Sequence, residues 1–279
     1  MSTDNPRQGL HIALREKAFD GTPVIGSVDI HADSGDFVAL VGPSGAGKST
    51  LLSLVAGLDS DYLGEITWDG APLSAPGHSP ARLGMMFQEP RLMPWLSALD
   101  NVRLVEAQRE ADEPGFVSRA ATLLEEVGLG HALHVWPNQL SGGMQRRVAL
   151  ARAFTVEPRL LLMDEPFVSL DMPTGNRLRR ALLALCERHR PLVLFVTHDL
   201  REALALADRI LFMGDSPARV LLDYRVDIER GRDLESAEVA HAQQTLLARH
   251  PELLSGIIDG SSKRTDPYDD PRNNDEETP

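Results

Sequence analysis

The chain has 279 residues, 42% hydrophobic and 25% charged, an ordinary balance for a globular protein with a sizeable core. A formal net charge of −13 argues against a nucleic-acid-binding surface and against direct adsorption to an anionic membrane. One cysteine excludes an internal disulfide and fits a reducing compartment; no apolar run reaches the roughly 18 residues of a membrane span, and MSTDNPRQGL holds no signal-peptide core.

In chain order, LHIAL (10–14) alternates apolar and polar residues and predicts a half-buried strand, with VIGSVDIHA (24–32) predicting a second. FVALV (37–41) is continuously apolar, as a strand covered on both faces would be. A glycine-rich loop follows, then KSTLLSLVAGL (48–58) with helical spacing, then GEITWDG (64–70), a short strand entering a turn at Asp69–Gly70. From 89 to about 154 the character changes. After the proline-punctuated EPRLMPWL, helical patterns occupy ALDNVRLVEAQRE (98–110), FVSRAATLLEEVGL (116–129) and MQRRVALARAF (144–154), with Gly128 and Gly130 as helix stops. This predicts a helical insert within an α/β core. The core resumes at LLLMD (160–164), followed by a helix from about Thr174 to Arg190, the strand LVLFVT (192–197), the helix LREALALAD (200–208) and the strand RILFM (209–213). Strands alternating with helices predict a mostly parallel sheet. Residues 1–230 are expected to form the main domain. Residues 231–260 should add a helical extension, and 261–279 a disordered acidic tail. Cys186, Trp68 and Trp95 are expected to be packing residues.

GPSGAGKS, comprising Gly42, Pro43, Ser44, Gly45, Ala46, Gly47, Lys48 and Ser49, matches the phosphate-loop pattern and stands between a predicted strand and helix. Its glycines let consecutive N–H groups turn inward around phosphate. Lys48 can reach the outer phosphates, and Ser49 offers a hydroxyl to Mg2+. LLLMDEP delivers Asp164 to the carboxyl end of a strand, where it could hold Mg2+ through water. Glu165, next in the chain, points the other way, toward an attacking water. By themselves the two carboxylates would read as a solvated acidic turn. LSGGMQRR (140–147) raises a separate question, because a serine and two glycines before a helix make a second anion site.

The succession GPSGAGKST, FQEP, LSGGMQRR, LLLMDEP, SLD and THD resembles the ATP-binding-cassette ATPases, over residues about 19 to 213. The resemblance implies a phosphate-loop NTPase fold of class α/β. It has a mostly parallel core sheet, an N-terminal antiparallel β subdomain and an inserted α-helical subdomain. ATP and Mg2+ are the implied cofactors, bound through Gly42 to Ser49 and Thr50. Phe19 falls where an aromatic stacks on adenine, with a core or edge-strand aromatic as the ordinary alternative. Gln88 matches a glutamine that touches Mg2+ and the attacking water, and Ser49 and Asp164 complete the metal set. Lys48, Glu165 and His198 form the implied catalytic set. Asp171 matches a loop that crosses to a second subunit. Ser141, Gly142, Gly143 and Met144 would close over ATP held by that second subunit, packed head to tail and expected to be an identical chain. Glutamine is commoner at position 144 in the wider family, and Met144 cannot hydrogen-bond ribose.

FQEPRLMPWLSALDNV and LSGGMQRRVALARA look most like the nitrate/sulfonate/taurine importer class. This implies an ATP-hydrolysing subunit on the cytoplasmic face of the inner membrane. It would serve a separate permease and, indirectly, a solute-binding protein, with no nucleic-acid partner. PRLMPW lies where that class docks a permease helix; a rigid, buried loop is the alternative. A soluble family member acting on nucleic acid or ribosomes is the competing function, disfavoured by the acidic balance and the single cassette.

Overall fold

A computed structural model describes residues 9–73, 82–106, 118–214, 216–251 and 253. In chain order the strands and helices are β1 (Gly9–Phe19), β2 (Thr22–Ile25), β3 (Val28–Asp33), β4 (Phe37–Val41), α1 (Lys48–Val55), β5 (Leu63–Trp68), β6 (Ala71–Pro72), β7 (Leu83–Met86), α2 (Ala98–Arg103), α3 (Ala120–Glu126), α4 (Gly142–Thr155), β8 (Leu160–Asp164), α5 (Met172–His189), β9 (Leu192–Thr197), α6 (Leu200–Leu206), β10 (Arg209–Gly214), β11 (Arg219–Arg225) and α7 (Ala237–Arg249).

The apolar run FVALV becomes β4, inside a six-stranded sheet of order β11-β10-β4-β9-β8-β7, parallel except for β11. Its side chains serve two cores. Phe37, Ala39 and Val41 face the layer packed by α2 to α7, whereas Val38 and Leu40 face α1 and a separate antiparallel sheet built from β1, β2, β3, β5 and β6. Leu161 and Met163 on β8, with Val193 and Phe195 on β9, divide from their neighbours in the same way. A strand buried on both faces has no position for a polar residue, which is why these runs are continuous rather than alternating.

The antiparallel sheet is fixed by short-range chemistry. Asp20 and Gly21, both at positive φ (48° and 77°), close the β1–β2 hairpin, the conformation a two-residue Asp-Gly turn takes. Lys17 is almost fully buried. Its Nζ lies 2.8 Å from Asp59 Oδ2 and donates to the Asp61 carbonyl at 2.7 Å, tying β1 to the loop after α1. VIGSVDIHA is two strands, not one. Gly26 N donates to Ala218 O at 2.8 Å, so the chain turns aside there to meet the β10–β11 hairpin. Three strands have no counterpart in the sequence reading: the two-residue β6, β7 and β11. β7 is only 4 residues long, and β11 follows a loop with no strand signal before it. Gly128, at φ 74°, follows the end of α3, but Gly130 opens a 3₁₀ turn instead of ending a helix. Trp68 and Cys186 are buried, and burial pushes the Cys186 thiol up to about 12. Trp95 departs from expectation: it is 65% exposed. Its loop is nonetheless pinned. Asn101 accepts from Met93 N at 2.7 Å and donates to the carbonyls of Met93, Leu96 and Ser97, while Arg152 donates to those of Pro90 and Arg91. The loop is pinned but not buried, and it displays its tryptophan. Val239 and Leu246 of α7 join the larger core. The tail 261–279 lies outside the described residues.

One buried ion pair crosses the helical layer. Arg179 on α5 donates to Glu202 Oε1 at 2.7 Å, and the other oxygen of Glu202 accepts from Thr197 Oγ1 at 2.8 Å. Burial raises the Glu202 pKa, with the Arg179 and Thr197 hydrogen bonds opposing the rise. Arg179→Met should therefore cost about 3–5 kcal/mol, because a buried carboxylate loses its counter-charge. A carboxyl whose folded pKa is raised favours the native state below its unfolded pKa and loses that contribution as pH rises. The deficit of the variant, measured by urea unfolding, should be smaller at pH 5 than at pH 8.

Candidate functional site

Parallel pairing aligns strand ends. Val41 is registered with Thr197, Asp164 with Val196, and Met86 with Met163. The segments that follow these ends therefore emerge along one sheet edge: the loop from Gly42, His198, the pair Asp164–Glu165, and Gln88. Open α/β sheets bind ligands at this carboxyl edge, and its residues come from distant parts of the chain.

The loop has little room for side chains. A Cβ on Gly42 would stand 2.2 Å from Met213 O, and one on Gly47, at φ 68°, would meet Ala218 Cβ at 3.0 Å and Ile25 Cγ1 at 3.1 Å. Gly47 caps α1 without a side-chain hydrogen bond, so the first N–H groups of that helix keep no side-chain partner at the cap. Ser44 and Gly45 are exposed, Pro43 and Thr50 half-buried, and Ala46 buried. Lys48 is buried, and its ammonium donates to the carbonyls of Gly42 at 2.9 Å and Pro43 at 2.7 Å. Desolvation lowers its pKa, while the charges of Glu165 and Asp164 oppose the shift. Ser49 Oγ donates to Asp164 Oδ1 at 2.9 Å. Burial is the largest influence on Asp164 and raises its pKa; the Ser49 hydrogen bond works against it and Glu165 adds to it.

Glu165 adopts a left-handed conformation, φ 42°, with its N–H bonded to Val196 O at 3.0 Å. Its carboxylate meets His198, whose Nδ1 lies 3.5 Å from Glu165 Oε2. His198 is exposed, and its loop is held from beneath: Asp199 N donates to Thr197 Oγ1, which itself donates to Glu202. Gln88 is exposed just beyond β7. Phe19, at the end of β1, is 48% exposed, with Lys17 Nζ 4.4 Å from its ring centroid. Phe19 thus closes a strand paired on both sides, at the hairpin with β2, as a half-exposed aromatic and not a core residue.

The remaining expected residues gather elsewhere. Ser141 caps α4 by accepting from Met144 N at 3.2 Å, and Asp171 caps α5 by accepting from Thr174 N at 2.9 Å. The hydrogen bonds from Thr174 hold the Asp171 carboxyl below its usual range. The two helix starts meet at Gly143, where a Cβ would lie 2.1 Å from Thr174 Cγ2. Ser141 and Gly142 are exposed, and Met144 packs against the larger core. Among the described residues, no hydrogen bond or ion pair joins 141–144 to 42–49. The structure thus brings together Lys48, Ser49, Asp164, Glu165 and His198, and holds Ser141, Gly142, Gly143 and Asp171 as a second group.

Two supports were missed in the sequence. Arg146 on α4 donates to Pro166 O at 2.9 Å, beside Glu165. The Arg179–Glu202–Thr197 chain lies under His198. A carboxylate inside the apolar helix LREALALA was a usable signal for Glu202; nothing in MQRRV distinguishes Arg146 from a solvated arginine.

A family model described as "ABC transporter" matches residues 25–168. Among similar proteins, an aliphatic sulfonates import ATP-binding protein of Burkholderia cenocepacia (strain HI2424) is 43% identical over 238 residues, covering 85% of this chain and 86% of that protein. A protein of the same description from Xanthomonas axonopodis pv. citri (strain 306) is 41% identical over 243 residues, covering 86% and 95%. The ATP-binding cassette MJ0796, solved as a dimer in a post-hydrolysis state bound to ADP and Pi, superposes with a TM-score of 0.67 at 29% identity, covering 79% of this chain and 100% of its own.

The Gly143 contact sets a test of sign. In open space, Gly→Ala within a helix gains about 1 kcal/mol, whereas overpacking costs about 1–3 kcal/mol. Gly143→Ala should lower the urea midpoint, and adding Thr174→Ser, which deletes the clashing methyl, should restore it. A Gly143→Ala protein as stable as the parent would contradict the close approach.

Proposed function

The chain belongs to the ABC transporter family and is an ATPase of that type, and from this premise we propose that it is the ATP-hydrolysing subunit of an importer. Its cargo on this reading is a small anionic solute of the sulfonate class, carried by a separate permease. One observation carries the reading of mechanism: the chain holds two partial phosphate sites that do not touch. Lys48, Ser49, Asp164, Glu165 and His198 form one, and the helix start at Ser141–Gly143, exposed at Ser141 and Gly142, forms the other. Each is completed by the opposite site of a second copy packed head to tail.

Lys48 would exchange its bonds to the Gly42 and Pro43 carbonyls for phosphate oxygens. Its burial removes competing water, so the exchange is favourable when charge develops on the phosphate. The Ser49 hydroxyl and Asp164 carboxylate, 2.9 Å apart at an exposed edge, are hard oxygen donors that suit Mg2+, with Gln88 within the same row. Mg2+ there supplies neutralisation of phosphate charge. Glu165 takes a proton from the attacking water, and His198 steadies that carboxylate and meets the outer phosphate. Phe19 offers its open face to adenine. Asp171 lies beside Ser141 and faces the second copy.

Trp95, exposed on a loop pinned by Asn101, is the proposed permease contact. An apolar groove lined by Met85, Phe87, Met93, Leu104 and Val156 lies nearby. No described helix is long and apolar enough to cross a membrane, so attachment on the cytoplasmic side would run through this contact. The import assignment rests on the sulfonate-import relatives. The nucleic-acid alternative has no support in these relatives.

Glu165→Gln should keep ATP binding and lower turnover by about 10²–10⁴-fold, the usual worth of a general base. With ATP it should elute as a stable dimer in gel filtration; normal turnover would remove Glu165 from the role. Trp95→Ala should leave ATPase activity of the isolated subunit unchanged and weaken co-purification with the permease. Undiminished co-purification would place the docking contact elsewhere.

A further inference from the structure

His11 on β1 and His31 on β3 stand directly opposite each other, with stacked rings whose centroids are 3.8 Å apart and whose planes differ by 12°. Asp29 shares the outward face of β3 with His31. Its Oδ1 lies 3.1 Å from His11 Nε2 and 3.4 Å from His31 Nε2. Among the described residues, no other group of three His, Cys, Asp or Glu side chains gathers its ligand atoms within 4.8 Å. The three side chains keep access to solvent, at 38%, 44% and 72% exposure for His11, His31 and Asp29.

The arrangement differs from a surface ion pair in two respects. Both imidazoles approach one carboxylate oxygen through the same ring atom, and all three ligand atoms lie within 4.8 Å of one another. Their nitrogen–oxygen spacing also fits a metal once the stacked rings, 12° from parallel, turn so that both Nε2 lone pairs meet one ion. Tetrahedral bonds of about 2.0–2.1 Å set donors about 3.3 Å apart, close to both nitrogen–oxygen separations. The backbone beneath is well held, because β1 is paired on both sides, with His11 opposite His31 and Thr67, and Arg209 donates to the His31 carbonyl. Donors on paired strands keep their geometry better than donors on loops.

We propose that His11, Asp29 and His31 form a transition-metal site of the zinc class, with a fourth position open to water. Two imidazoles and a carboxylate suit Zn2+, Ni2+ and Cu2+; Mg2+, which demands an oxygen octahedron, does not compete there. The site is therefore chemically separate from the Ser49–Asp164 pair. An ion held there links β1 to β3 and stiffens the sheet whose first strand ends at Phe19. It makes this sheet responsive to free transition metal without involving the nucleotide site.

The test uses the full chain without a histidine tag, stripped with chelator and dialysed against Zn2+ in excess Mg2+ and without nucleotide. The parent should bind one equivalent more than His11→Ala/His31→Ala. Asp29→Asn, which preserves shape, should weaken that equivalent by more than the roughly 10–100-fold that loss of an outer-shell partner costs. His198→Ala should retain it. Zn2+ should raise the melting temperature of the parent and leave the double variant unmoved. Equal zinc stoichiometry and affinity in the parent, the double variant and Asp29→Asn would overturn the site and leave a hydrogen-bonded trio.

Discussion

Hydrogen-bond register in the parallel sheet places everything else. Because β7, β8, β9 and β4 are paired in parallel with Met86, Asp164, Thr197 and Val41 near one line, each following segment emerges at the same edge. Side-chain chemistry then acts on positions already set by backbone pairing. A slip in parallel pairing between β8 and β9 would carry Glu165 away from His198 and Asp164 away from Ser49. Such a slip is opposed at the ends of the apolar run of β8, where it would draw Arg159 or Asp164 into the cores without partners.

The second constraint is the contact between helix starts. Gly143 admits Thr174 closely enough that α4 and α5 present Ser141 and Asp171 side by side. Arg146, on the same helix as Ser141, reaches Pro166 next to Glu165. Arg179, on the helix capped by Asp171, reaches Glu202 beneath the His198 loop. Each element of the proposed partner-facing surface is thus joined by a buried guanidinium to one element of the hydrolytic edge. Buried polar links of this kind cost much when half-broken, so the two surfaces are expected to hold a fixed relation within one subunit.

Much of this was legible in the sequence, for stated reasons. The doubly buried strands announce themselves as unbroken apolar runs, and the phosphate loop has a composition that only one kind of backbone uses. The ladder partners of β7 and the break at Gly26 were not legible, because both depend on distant segments: β7 on β8, and Gly26 on Ala218. Trp95 was misjudged because aromatic content predicts burial only where the loop beneath leaves space. Here the buried Asn101 lies beneath the loop, bonded to the Met93 backbone. Arg146 and Arg179 carry no local sign of burial, since their partners are a carbonyl and a carboxylate brought in by the fold.

On the proposed function, hydrolysis needs two chains, each lending Ser141 to the other's Lys48. That requirement is tested most directly by mixing two inactive proteins, Ser141→Arg and Lys48→Ala, and following ATP-dependent association and phosphate release. The account predicts that a mixed dimer pairs the intact Lys48 of the first with the intact Ser141 of the second. ATP-dependent association then returns, and with it phosphate release if one site fires alone. Full-rate hydrolysis by a parent protein shown to remain monomeric under ATP would contradict it.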